Sequence, residues 1–224
     1  YWPFTVSYDK YRGEAYIHSK PMSIPEKDLV MTLIIDSGIR SDRSGPSTDR
    51  KFERSVTIPG KYTFLQIGWE DLTLVRNEHY EPEQVLVVNT TTGVQESEIV
   101  KNLTVFLLPQ DLPPIQGQPG EESYSWSDFS PVKIGPEVLN VSERVKLTPV
   151  PRAQDYATLH GFSYKAPSGR YLYVKVNKGM PAFGGYILAK DHESILHVPE
   201  MPRELGFMHN GSVLSLSGEK KLSI

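Results

Sequence analysis

Apolar residues recur along most of this chain at every second position, in short runs separated by turn residues. That period marks half-buried β-strands and excludes a helical bundle. The runs are Thr5–Tyr8, Glu14–Ser19, Leu29–Ile35, Phe52–Ile58, Lys61–Gly68, Thr73–Arg76, Val85–Asn89 and Thr104–Leu108. They resume at Lys146–Pro149, Ala157–Lys165, Arg170–Asn177, Gly185–Ala189, Ser194–His197, Gly206–His209 and Ser212–Ser217. LVMTLII (Leu29–Ile35) is almost continuously apolar and is expected to be buried on both faces. The turns between runs are explicit: PGKY at Pro59–Tyr62, APSG at Ala166–Gly169, NKG at Asn177–Gly179 and the hairpin dipeptide Asn210–Gly211. Gly184–Gly185 marks a bulge or a close backbone approach.

Helix is expected only at Val94–Asn102 and Glu137–Val145, the latter with Pro136 suited to its first turn. Asp36–Lys51 is polar and reads as a long exposed loop. Pro109–Ser130, with prolines at 109, 113, 114 and 119, reads as an insertion or linker. No internal repeat is evident. The fold class expected is all-β, with two Ig-like β-sandwich domains and short helices. The first domain covers 1–145 and carries the Pro/Gly-rich insertion 109–130. The second covers 146–224 and is expected to be incomplete at its C-terminus.

With 224 residues the chain has room for these units. Its 24 basic and 27 acidic residues leave no cationic excess for phosphates, so no nucleic-acid partner is expected. The absence of cysteine excludes disulfides, thiolate metal sites and a thioester within the segment. No run reaches the ~20 apolar residues of a spanning helix. YWPFTVSY has neither the charged start nor the apolar region of a signal peptide, and LSGEKKLSI reads as a strand cut short. The expectation is a partial segment of a longer chain.

One stretch looks chemical. NEHYEPEQVLVVN (Asn77–Asn89) places Glu78, His79, Glu81 and Glu83 directly before an apolar run. These are weak candidates for a hard cation, or for a hydrolase using His79 and Glu81. Pro82 forces Glu81 into extended backbone, and extended backbone sends alternate side chains to opposite faces. Glu81 and Glu83 could share a face, with Glu78 pointing away. The plainer reading is a connection between a strand ending at Arg76 and the strand VLVV. H-E-x-x-x-H at His192–His197 is one residue off a zinc spacing, and Ser217–Lys220 matches SxxK inside an alternating strand pattern. No dinucleotide or phosphate loop and no nucleophile elbow occurs, so neither catalytic residues nor a cofactor are expected. Four Asn-x-Ser/Thr sequons, at Asn89, Asn102, Asn140 and Asn210, are frequent by chance in a Ser/Thr-rich β chain. Tyr124, Trp126 and Phe129 could stack on a sugar or dock on a neighbouring domain.

DLTLVRNEHYEPEQVLVVNTTTGV (Asp71–Val94), GRYLYVKVNKGMPAFGGYILAKD (Gly169–Asp191) and ILHVPEMPRELGFMHNGSVLSLSGEKKLSI (Ile195–Ile224) resemble the N-terminal macroglobulin-like region of bacterial alpha-2-macroglobulins. The likeness is closest to the subtype without the thioester cysteine and covers the last two-thirds of the chain. The first sixty residues carry no recognisable motif. The resemblance implies a periplasmic, multi-domain β protein that traps proteases through a bait segment lying elsewhere in the chain. No functional residue transfers to this segment, whose implied role is structural. Its implied partners are the other domains of the same large chain, with proteases as prey of the whole protein. The competing expectation is an adhesion or cell-wall glycan-binding module with Tyr124 and Trp126 as its platform.

Overall fold

The computed structural model describes residues 1–40, 45–111, 126–128, 130–131 and 134–202. The strands expected at Gly206–His209 and Ser212–Ser217, the Asn210–Gly211 hairpin, Ser217–Lys220, Tyr124 and Phe129 lie outside them. The described chain is all-β, with antiparallel pairing throughout. Two hairpins come first. Strand β1 (Phe4–Tyr8) pairs with β2 (Ala15–Ser19), and β3 (Leu29–Ile35) with β4 (Phe52–Ile58). A tight junction then leads into the rest. Gly60 donates its N–H to the Asp28 carboxylate (2.8 Å), and Lys61 N–H bonds to Pro25 C=O (2.7 Å). A Cβ at position 60 would lie 2.7 Å from the Lys27 backbone, so this crossing requires glycine.

The following strands build two facing four-stranded sheets. The first has the order β5–β6–β10–β9, from β5 (Ile67–Arg76), β6 (Pro82–Gln95), β9 (Thr148–Pro149) and β10 (Tyr156–Ser163). The second has the order β12–β11–β7–β8, from β7 (Leu103–Leu107), β8 (Glu143–Arg144), β11 (Tyr171–Val176) and β12 (His192–His197). Alternation decides what lies between them. Leu72, Leu86, Val88 and Phe162 of the first sheet meet Leu103, Val105, Leu172, Val174 and Val176 of the second in one buried cluster. Helix α1 (Glu96–Asn102) caps one end by inserting the fully buried Ile99.

The outer face of the second sheet carries its own small core. Tyr173 on β11 packs with Leu108, Trp126, Ile134 and Val138, the last from helix α2 (Pro136–Asn140). Trp126 is only 4% exposed and donates its indole N–H to Pro109 C=O at 2.8 Å. It is therefore a packed residue, not the exposed sugar-stacking platform considered from sequence. Part of the Pro-rich stretch is thus tied back onto the sheet.

Several elements differ from expectation for local reasons. LVMTLII is not buried on both faces: Leu29, Val30 and Ile34 are exposed, because β3 has only β4 beside it. The first helix starts at Glu96, since Val94 and Gln95 still pair with Ala157 and Tyr156. The second ends at Asn140, and Glu143–Arg144 form β8 instead. Residues 61–64 form a turn, where Gln66 Nε2 and Gly60 N–H bond to Thr63. Gly185–Ala189 gives no strand: a 3-10 turn at Phe183–Gly185 leads to a single bridge between Pro181 and Ile187. Gly184 and Gly185 both take positive φ there. Pairing also crosses the boundary expected at 145/146, since β10 bonds to β6 and β11 to β7. Strands from both sides of that position share one sandwich, while β1–β4 contribute no strand to it.

Truncating Trp126 removes a large buried ring and strands the Pro109 carbonyl. Trp126→Ala is expected to cost about 3–5 kcal/mol in urea unfolding. A change within ~0.5 kcal/mol, the range of surface positions, would show that the indole is not packed as described.

Candidate functional site

The charged stretch from Asn77 to Glu83 is the turn between β5 and β6. Arg76 pairs with Pro82 across the hairpin, so the connection is Asn77–Glu81. The Asn77 side-chain carbonyl accepts the backbone N–H groups of His79 (2.9 Å) and Glu81 (3.0 Å). The Asn77 and Tyr80 backbone N–H groups close the loop onto Glu81 and Asn77 carbonyls. Such self-bonding by Asn is the usual device of a tight turn. Tyr80 sits at φ 61°, a left-handed conformation that a bulky residue adopts only when its neighbours hold it. Arg76 contributes by donating to the Tyr80 carbonyl at 3.1 Å. Glu78, His79 and Glu81 are exposed, with the Glu81 carboxylate accepting from the Asn77 amide at 3.3 Å, and Glu83 is half-buried on β6. Among the described residues, no group of three His, Asp or Glu side chains converges as a metal site would require.

Just after this turn, Gln84 is 4% exposed and reaches across to the backbone of Ala166. Its amide donates to Ala166 C=O and accepts from Ala166 N–H, both at 2.8 Å. Sequence reading passed over Gln84, because a single Gln before an apolar run carries no distinguishing signal.

The H-E-x-x-x-H histidines separate along β12. His192 opposes Val176 and His197 opposes Tyr171, while Glu193 opposes Lys175. His197 stacks edge-on against Tyr171, with ring centroids 5.0 Å apart. His192 Nε2 lies 2.8 Å from a carboxylate oxygen of Glu70 on β5, so this contact joins the facing edges of the two sheets. The pair is not aligned as a hydrogen bond, and among the described residues both atoms, like Ser194 Oγ, are buried without a hydrogen-bond partner. Lys175 stands on β11 between Glu193 (2.8 Å) and Asp191 (3.0 Å). Its hydrogen bond to Glu193, followed by that to Asp191, raises its pKa above the ordinary lysine value. Asp191 is held below the usual carboxylate range by the Lys178 backbone N–H and then by Lys175. Burial, with Glu193 nearby, pushes the Tyr173 phenol up to about 12.

Among the described residues His160 is the one strongly perturbed imidazole. It is 2% exposed on β10, and its Nδ1 lies 2.7 Å from Arg152 Nη1. A guanidinium only donates, so Nδ1 accepts and the proton resides on Nε2. Burial and then the adjacent Arg152 charge lower its pKa to about 4. Arg152 also contacts Glu96 (3.6 Å) and Val94 C=O (3.4 Å), which ties helix α1 to the sheet. Of the sequon asparagines, the Asn89 and Asn102 amides donate to Thr158 and Glu98 carbonyls, and Asn140 is exposed. Asn210 lies outside the described residues. These groups join strand to strand or helix to sheet, and none of them meets another in a nucleophile–base geometry.

Fold and polar groups together define an all-β chain in which Arg152, Lys175, Asp191 and Glu193 bridge neighbouring elements. No family model and no solved structure matches the chain. It does match bacterial proteins named alpha-2-macroglobulin. It is 29% identical over 238 aligned residues to Alpha-2-macroglobulin of Rickettsia conorii and 30% identical over 224 to the Alpha-2-macroglobulin homolog of Yersinia pestis. To Alpha-2-macroglobulin of Pasteurella multocida it is 27% identical over 223. Each match covers 99% of this chain, which spans 11–12% of the relatives' own length. The resemblance to bacterial alpha-2-macroglobulins therefore extends over the first sixty residues as well as the last two-thirds.

Two measurements check this account of the polar groups. The unfolded chain takes up a proton on His160 near pH 6.5 and the folded chain only near 4. The resulting stability is complete above pH 6.5 and is lost as the pH falls toward 4, by up to ~3 kcal/mol. Urea midpoints should fall across that window, and His160→Leu should flatten the dependence. Separately, Asn77→Ala should cost about 1–2 kcal/mol by freeing two turn N–H groups. Excess calcium or chelator should leave the parent's midpoint unchanged, whereas a rise with calcium would make Glu78, Glu81 and Glu83 cation ligands.

Proposed function

We propose that this chain is a non-catalytic structural segment from the N-terminal part of a large periplasmic protease inhibitor of the alpha-2-macroglobulin type. The observation that carries the reading is the continuous match over 99% of the chain to relatives of which it spans only 11–12%. The site is in keeping with it: Lys175, Asp191, Glu193, Arg152 and Gln84 all bond to other parts of the sandwich. A segment that builds part of a cage needs stiff β modules and no reactive group. The absence of cysteine leaves it no means of forming a thioester itself. In the whole polypeptide a protease would cut a bait segment elsewhere, and the assembled modules would hold it.

The whole polypeptide, incubated with a general protease, should retain the cleaving enzyme through gel filtration. The trapped enzyme should still cut small peptides and no longer cut large proteins. Release of the protease with unimpaired cleavage of large substrates would end this reading.

A further inference from the structure

Among the described residues, no strand pairs with the outer edges of the β3–β4 hairpin and none of its residues joins a buried core. Its register is Leu29↔Ile58 through Ile35↔Phe52. Alternation puts Met31, Leu33 and Ile35 on one face with Phe52, Val56 and Ile58. Arg54 is the only charged residue in that set. On that face Met31, Leu33, Ile35 and Ile58 are half-buried while Phe52 and Val56 are 51% and 58% exposed, and no residue of the hairpin belongs to either buried core. The opposite face is mixed: Thr32 and Ser55 hydroxyls bond to each other at 2.8 Å beside Glu53 and Thr57, with Val30 and Ile34 interspersed. A two-stranded ribbon is marginal in water unless a further layer covers its apolar side, and a contiguous exposed apolar face of this kind marks an interaction surface.

Resting on the reading of the chain as part of a longer polypeptide, we propose that this face is covered by a further β module of that same polypeptide. The relatives are long enough to supply one, since the chain spans 11–12% of their length. A sheet face of mostly apolar side chains matches another sheet at the ~10 Å spacing of sandwich layers. Covalent linkage gives a tethered module a high effective concentration that a second copy or a free partner lacks. A lipid surface fits poorly, because the chain carries net charge −3 and the ribbon's rim pairs Lys51 with Glu53.

The test places a p-benzoylphenylalanine photoprobe at Phe52, on the apolar face, or at Glu53, on the mixed face. Both are made in the whole polypeptide, mixed from isotope-labelled and unlabelled copies. The expected result is an adduct from position 52 within one copy, to a peptide outside these 224 residues, and loss of that adduct from position 53. Adducts between differently labelled copies, adducts to lipid, equal adducts from both faces, or none at either would overturn the proposal. If the probe at 52 abolishes β circular dichroism, Val56 and Thr57 make the same comparison. A polypeptide that gives the expected adduct yet releases its protease keeps this interface and loses the inhibitor reading.

Discussion

The pairing of β6 with β5 along one edge and β10 along the other is the interaction on which the sandwich depends. β6 runs for fourteen residues and buries Val85, Leu86 and Val88 at its centre. Its two partners come from opposite sides of the chain's least regular region. One is joined to it by the five-residue turn at Asn77–Glu81, the other arrives some sixty residues later. The sheet therefore closes only after the chain has built β7, α2 and β8 in the opposing layer. Long-range pairing of this kind costs loop entropy before it returns any contact. The return is the inter-sheet core, where Leu86, Val88, Leu172, Val174 and Val176 are all inaccessible to solvent.

The polar side chains follow from that topology. Two sheets that face each other have two pairs of neighbouring edges, and an edge strand needs protection. On one side the short strands β8 and β9 hand the chain from sheet to sheet. On the other, Glu70 of β5 meets His192 of β12, while Lys175, Asp191 and Glu193 lock β11 to β12 and the loop before it. Gln84 and Arg152 serve the ends, bonding β6 to the chain beyond β10 and α1 to the sheet. A side chain already committed to two partners is poorly placed to act on a substrate.

Most strands were legible because alternation is a local property of sequence. Which strands neighbour one another was not, because that depends on pairings between distant residues. The Pro-rich stretch at 109–130 read as a surface insertion or a linker. Yet Trp126 and Pro109 bind it to the outer face of β11, and β10 and β11 return to strands that precede it. The six histidines illustrate the same limit. His160 had no motif around it, and its depressed pKa comes from burial and from Arg152, eight positions away, which sequence does not mark as its neighbour. NEHYEPEQ stood out by charge density, which in a hairpin turn is what exposed backbone tolerates most easily. Its informative residue was the least chemical one, Asn77, whose amide shapes the turn.

LVMTLII was the one strand whose environment was misjudged, and the misjudgement has a physical content. A continuous apolar run signals burial on both faces when the run sits inside a covered sheet. Here the same residues lie in a two-stranded ribbon, with Val30 and Ile34 on one face and Met31, Leu33 and Ile35 on the other. A strand that is more apolar than the described residues around it require is what the proposed covering layer would account for. The sandwich fills two buried clusters from its own side chains, although Trp69, Leu159 and Phe183 stay exposed, whereas no residue of β3 or β4 enters either cluster.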